Sequence, residues 1–251
     1  MNSERSERSE RSENEQNVLP MQPAASAYSV PWKPIDNWIG VILLALIDGG
    51  LLVISLLGQK GQLAQSGLLV IVQLAYLLPV IIVFAYRRIP WKAIGFGKFN
   101  WGALAMGCGL LIASYGIIFL HNLILTALGI ETQGSEISQL FSLLKNPFWF
   151  FLVGAILAPL VEEIFFRGFL FQGLRARYGW VSGMLISSGI FAVAHLDPVS
   201  LIPTFILGSL LAYLYHRSNS VWPGVILHMA VNTFGLISVY VLMQYPNLIP
   251  G

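Results

Sequence analysis

FWFFLVGAILAPLVEEIFFRGFL, residues 148–170, is apolar and long enough to cross a bilayer, yet it contains Glu162, Glu163 and Arg167. About 20 apolar residues suffice for a transmembrane helix. Ionisable side chains at that depth are costly even on lenient insertion scales, and their presence marks a functional site. Residues four apart share a helix face, so Glu163 meets Arg167 and the two buried charges neutralise each other. Glu162 is rotated by ~100° from Glu163 and faces a different neighbour. Glu162 is therefore the candidate for chemistry, and the Glu163–Arg167 pair the candidate for structure.

The rest of the chain supports a membrane setting. Of its 251 residues, 56% are hydrophobic and 10% charged, against about 25% charged in soluble domains. Apolar runs at 38–58, 66–86, 101–120, 148–170, 180–196, 199–215 and 221–243 predict an all-α, polytopic transmembrane helical bundle of about seven spans. If 122–144 re-enters the membrane, the count becomes eight and everything downstream flips. Residues 1–37 form a polar tail that opens with Ser-Glu-Arg at 3–5, 6–8 and 9–11. Such a composition cannot bury a core and predicts disorder, and it lacks the regions of a cleaved signal peptide. Residues 38–130 hold the N-terminal spans and 145–243 the motif-bearing core. Cys108 is the single cysteine, so no internal disulfide forms, and a net charge of +2 gives no reason to expect nucleic acid.

Lysines and arginines in short loops stay cytoplasmic. Alternating the seven spans places Arg5, Arg8, Arg11, Lys33, Arg87, Arg88, Lys92, Lys98, Arg167, Arg175, Arg177 and Arg217 on one side. Only Lys60 and Lys145 fall on the other, twelve of fourteen against two. The expectation is an integral membrane protein of a prokaryotic plasma membrane, its N-terminus cytoplasmic and its site opening towards the cytoplasm. All seven tryptophans fall near predicted span ends, where an indole sits at headgroup level. The tracts 137–144 and 89–99 read as short amphipathic segments lying on the two surfaces.

Two later spans add His195, four residues after Phe191, and His228, four residues before Asn232. At 1.5 Å per residue, Glu162 lies ~20 Å from the arginine-rich end, His195 ~22 Å, and His228 and Asn232 ~12 and ~18 Å. Three helices thus bring polar groups to overlapping mid-membrane levels. Phe191 is placed to wall the pocket, and His228 and Asn232 share a face from which both reach one carbonyl or one metal. Two mechanisms fit. Glu162, His195 and His228 could ligate a metal, zinc being the candidate, with an open position for water. Alternatively Glu162 is a general base on a water held with His195, while His228 and Asn232 donate to the oxyanion. Pro159 is expected to kink the fourth span. Asp48 in the first span has no partner legible in the sequence, His216 reads as a solvated boundary residue, and Gly208 as a close-packing position. A membrane scaffold that needs no catalytic Glu162, or a proton-coupled transporter using the same carboxylates, are the rival readings.

At these residues the chain resembles the CAAX prenyl protease and bacteriocin-processing (CPBP, or Abi) family of intramembrane proteases. The motifs EExxxR, FxxxH and HxxxN occur in order as Glu162–Arg167, Phe191–His195 and His228–Asn232. The stretch 205–222 is also similar to the family's segment between the second and third motifs, and the likeness covers about 145–243. The resemblance implies an endopeptidase with a catalytic Glu162, a water positioned by Glu162 and His195, and an oxyanion site from His228 and Asn232. It also implies that Glu163 and Arg167 belong to the catalytic set. Family members are called metalloproteases, yet a glutamate-dependent mechanism without obligatory metal has been argued for them, so the metal stays open. The implied substrate is a membrane-associated peptide, either a prenylated CAAX-type protein or a bacteriocin-like peptide. A role in immunity without proteolysis is the family's other implied activity.

Overall fold

The computed structural model describes residues 28–57, 70–130, 138, 141 and 147–245, and among these it is helical throughout, without strands. Seven helices follow one another: α1 (Pro34–Leu57), α2 (Val70–Arg87), α3 (Trp101–Ala127), α4 (Phe148–Tyr178), α5 (Trp180–Ala194), α6 (Leu201–Ser218) and α7 (Trp222–Gln244). By length and composition α2, α3, α4 and α7 can each cross a membrane. The protein is an integral membrane helical bundle. Helix α5, at 15 residues, rises only ~22 Å, short of the ~30 Å hydrocarbon core.

Helix α4 is the axis of the bundle. Half of its apolar window is buried, against 11% for α3 and 22% for α7. Phe165, Phe166, Phe169, Leu170 and Phe171 are all fully enclosed. The helix that carries both glutamates is therefore also the one that takes them furthest from lipid. Its hydrogen bonding is irregular: Leu152–Leu157 and Ile164–Phe171 are π-helical on either side of the α-helical turn Ala158–Glu163. Such bulges re-aim side chains and gather at functional sites. Pro159 lies near the start of the α-helical turn between them.

The first helix is tied down before it starts. Asp36 accepts from the Lys33 amide (2.7 Å) and from Arg87 at the end of α2 (2.9 and 3.0 Å). Trp32 donates to Asn37 (2.7 Å) and packs against Phe84 and Phe169. Two expectations change here. The polar tail does not extend to residue 37, because the chain from Tyr28 onward packs on the bundle; the Ser-Glu-Arg repeats lie outside the described residues. Trp32, only 5% exposed, is a core residue and not an interfacial one.

The tract 89–99 also departs from its expected surface position. It forms a single 3₁₀ turn, Trp91–Ile94, and plugs the basic end of the bundle. Ile94 is fully buried, its carbonyl accepts from Tyr215 (3.0 Å), and the Ala93 carbonyl accepts from Gln172 (2.9 Å). Of 137–144 only Ser138 and Phe141 are described, and Phe141 is buried against Phe150, Phe151 and Tyr240. Helix α3 runs on to Ala127, past the expected end at 120. Most of the tract that would re-enter for an eighth span lies outside the described residues, as do Lys60 and Lys145. Arg167 is buried within α4 and drops out of the orientation count, leaving eleven of the twelve basic residues on that side. His216 is half-buried and stacks on Trp180 at 4.7 Å, so it is packed and not simply solvated.

Candidate active site

Glu163 is fully buried and its charge is answered on the spot. Arg167, one turn on, donates to Oε1 at 2.7 Å, as the spacing predicts. The guanidinium also donates to the Gly208 carbonyl (3.0 Å) and lies 4.4 Å from the centre of the Phe191 ring. A Cβ on Gly208 would come to 3.0 Å from Phe191, so the glycine admits both contacts. From α7, His228 places Nδ1 3.2 Å from the same Glu163 oxygen. Gly224, one turn before His228, leaves room for the second one: a Cβ there would sit 2.8 Å from Glu163 Oε2.

Glu162 is held differently. Its Oε1 accepts from Gln73 on α2 at 2.8 Å, while Oε2 is buried without a hydrogen-bond partner. His228 Nε2 stands 3.8 Å from that oxygen. This is too long for a direct hydrogen bond and suits two groups that share one water. Both carboxylates, one arginine and one histidine thus converge from α4 and α7.

His195 ends α5 and is exposed to the cavities. Its Nδ1 lies 2.7 Å from the Phe191 carbonyl. A carbonyl only accepts, so Nδ1 carries the hydrogen and Nε2 is left with its lone pair. Phe191 is the common wall, its ring 4.6 Å from that of His195 and 5.8 Å from that of His228. His195 lines two spaces. One, of about 130 Å³, is shared with Tyr76, Glu162, Phe166 and Ala194. The other, of about 360 Å³, is lined by His228 and Asn232 and by apolar residues including Tyr115, Phe150 and Leu236. Glu162 and His195 thus share the smaller space, and His195, His228 and Asn232 the larger. The larger space runs from the middles of α3 and α7 into the half away from their basic ends.

Asn232 has a second task. Ala158 N–H bonds to Val153 O in the π register. The next donor in that register would be residue 159, a proline with no N–H. Gly154 O is then short of a partner, and Asn232 Nδ2 supplies one at 2.9 Å. One of its two amide hydrogens is committed to α4 and the other remains for a substrate. Asn232→Ala is accordingly expected to cut turnover ~100- to 1,000-fold if that hydrogen meets the oxyanion. It should also destabilise the fold by ~1–3 kcal/mol through the orphaned carbonyl. Thermal unfolding in detergent beside a turnover assay checks both.

Among the described residues no three His, Cys, Asp or Glu side chains gather as a metal-ligating group. Glu162 and His195 line one space, and His195 and His228 the other, without forming a coordination shell.

Residues 144–234 match the family described as type II CAAX prenyl endopeptidase Rce1-like. The core is similar to the CPBP family. The matched stretch holds every one of the three sequence motifs. Among curated proteins, Bacillus subtilis YdiL, provisionally named a membrane peptidase, is 25% identical over 161 residues, 63% of this chain and 66% of that protein. An uncharacterized 24.3 kDa Escherichia coli protein is 38% identical over 87 residues, 33% of this chain and 40% of its own length. Lactococcus lactis YxdF is 28% identical over 135 residues, 53% and 72% of the two chains. The chain thus spans somewhat less than two thirds of the first relative and well under half of the second. No solved structure matches it.

Sequence reasoning missed Gln73, Tyr76 and Gly224. Tyr76 donates to Asp48 at 2.6 Å and so supplies the partner that Asp48 lacked. Nothing in a local pattern links residues on separate spans, although a glutamine and a tyrosine three apart in an apolar run were a signal that could have been read.

Proposed function

We propose that this chain is an intramembrane endopeptidase in which Glu162 activates water against a peptide bond. The observation that carries the reading is the buried, unpartnered Oε2 of Glu162, facing His228 Nε2 at 3.8 Å and sharing a pocket with His195. The lone pair on His195 Nε2 accepts one hydrogen of a water in that pocket, and Glu162 Oε2 accepts the other. As the water oxygen bonds to the carbonyl carbon, Glu162 takes the proton. Charge then develops on the carbonyl oxygen, where the remaining Asn232 N–H and a protonated His228 Nε2 can donate. Glu162 next gives its proton to the amide nitrogen, the C–N bond breaks, and an amine and a carboxylic acid leave. Glu163 and Arg167 take no proton; they hold His228 and Phe191 in place.

The substrate is a membrane-associated peptide, of the prenylated CAAX type or bacteriocin-like, whose apolar side chains suit the largely apolar 360 Å³ space. The basic bias puts the N-terminus in the cytoplasm of a prokaryotic cell. To test the chemistry, purified protein is reconstituted with a farnesylated CAAX peptide for a single turnover in ¹⁸O water. One ¹⁸O in the new carboxylate, with turnover unaffected by chelator, is expected. Unlabelled product would indicate attack by a side-chain oxygen, and loss of turnover with chelator would restore the metal.

A further inference from the structure

The first half of the chain carries none of the family motifs, and the matched region begins at residue 144, yet α2 reaches into the site. The reason is local. Helix α2 is interrupted at Tyr76–Leu77, where Tyr76 N bonds to Gln73 O (3.3 Å) and Leu77 N to Leu74 O (3.0 Å). These are i to i−3 bonds, the 3₁₀ pattern, in which residues three apart eclipse one another. Gln73 and Tyr76 therefore point the same way, towards α4. Gln73 Nε2 donates to Glu162 Oε1 at 2.8 Å, and Tyr76 lines the 130 Å³ pocket between Glu162 and His195. Tyr76 is itself fixed, because its hydroxyl donates to the buried Asp48 of α1 at 2.6 Å.

We propose that Gln73 is a positioning residue for Glu162, an inference that rests on Glu162 acting as the base. A glutamate side chain turns about its last bond and can present either oxygen. The Gln73 amide engages Oε1, which leaves Oε2 as the oxygen directed at the reacting water. The Asp48–Tyr76 bond holds the turn of α2 from which Gln73 projects. The sequence motifs therefore do not complete the site: α1 and α2 contribute the group that orients the base.

The test is Gln73→Met, which keeps the length of the side chain and removes its donor. Turnover of a fluorescence-quenched farnesylated CAAX peptide should fall about 10- to 100-fold, the loss expected for a hydrogen bond to a charged group. The Michaelis constant should stay within about twofold and the unfolding temperature should hold. The infrared band of the Glu162 carboxyl, assigned by subtracting the spectrum of Glu162→Gln, should shift in Gln73→Met. In a Glu162→Gln background the Gln73 substitution should cause no further loss. An unmoved Glu162 band, or a change confined to the Michaelis constant or to stability, overturns the positioning role while leaving Glu162 as base. Wild-type turnover in Glu162→Gln overturns both readings, and the infrared band reports on the contact whether or not this peptide is cleaved.

Discussion

Glu163→Gln is expected to cost ~3–5 kcal/mol, the loss seen when one partner of a buried ion pair is removed. Domains commonly hold only ~5–15 kcal/mol in reserve, so the variant should lose a large part of its stability. The cause is what remains behind. Arg167, 1% exposed, keeps its charge beside Phe166 and Phe191, with one neutral carbonyl, that of Gly208, as its other hydrogen-bond partner. His228 loses the carboxylate that sets its Nδ1 as donor, so activity should fall with stability. Neutralising both ends in Glu163→Gln with Arg167→Met removes the stranded charge, and the double variant should be more stable than either single one. Chemical unfolding in detergent reads all four proteins. Wild-type stability in Glu163→Gln would mean that Glu163 and Arg167 do not form a buried ion pair.

What could be read in the sequence was what one helix can state about itself. Glu163 and Arg167 are four apart, and the structure pairs them. Glu162 shares one space with His195 and stands 3.8 Å from His228. Arg167 nonetheless entered the orientation count as a loop cation, because a charge tally does not see that a neighbour has buried it. Trp32 looked interfacial from its place in the chain, and it is held in the core by Asn37, Phe84 and Phe169. The contacts that went unseen join separate helices. Gln73 meets Glu162 across 89 positions, and Asn232 is drawn to Gly154 only because a π register meets a proline. Helical periodicity carries no information about either. The same holds for the cavity, whose direction depends on how α3, α4 and α7 lean together.

The largest functional effect is expected at Glu162. Glutamine has nearly the same volume, and its carbonyl oxygen can still accept from Gln73, so folding should be retained. It cannot take a proton from water, and loss of a general base costs typically ~100- to 10,000-fold. Glu162→Gln should thus separate cleanly from Glu163→Gln, the one stable and inactive, the other unstable as well. The direct measurement is product formation from a farnesylated CAAX peptide by wild type and Glu162→Gln in matched proteoliposomes, with unfolding temperature recorded on the same preparations. The account predicts cleavage by wild type alone, at equal unfolding temperatures; cleavage by Glu162→Gln at a rate near wild type would contradict it.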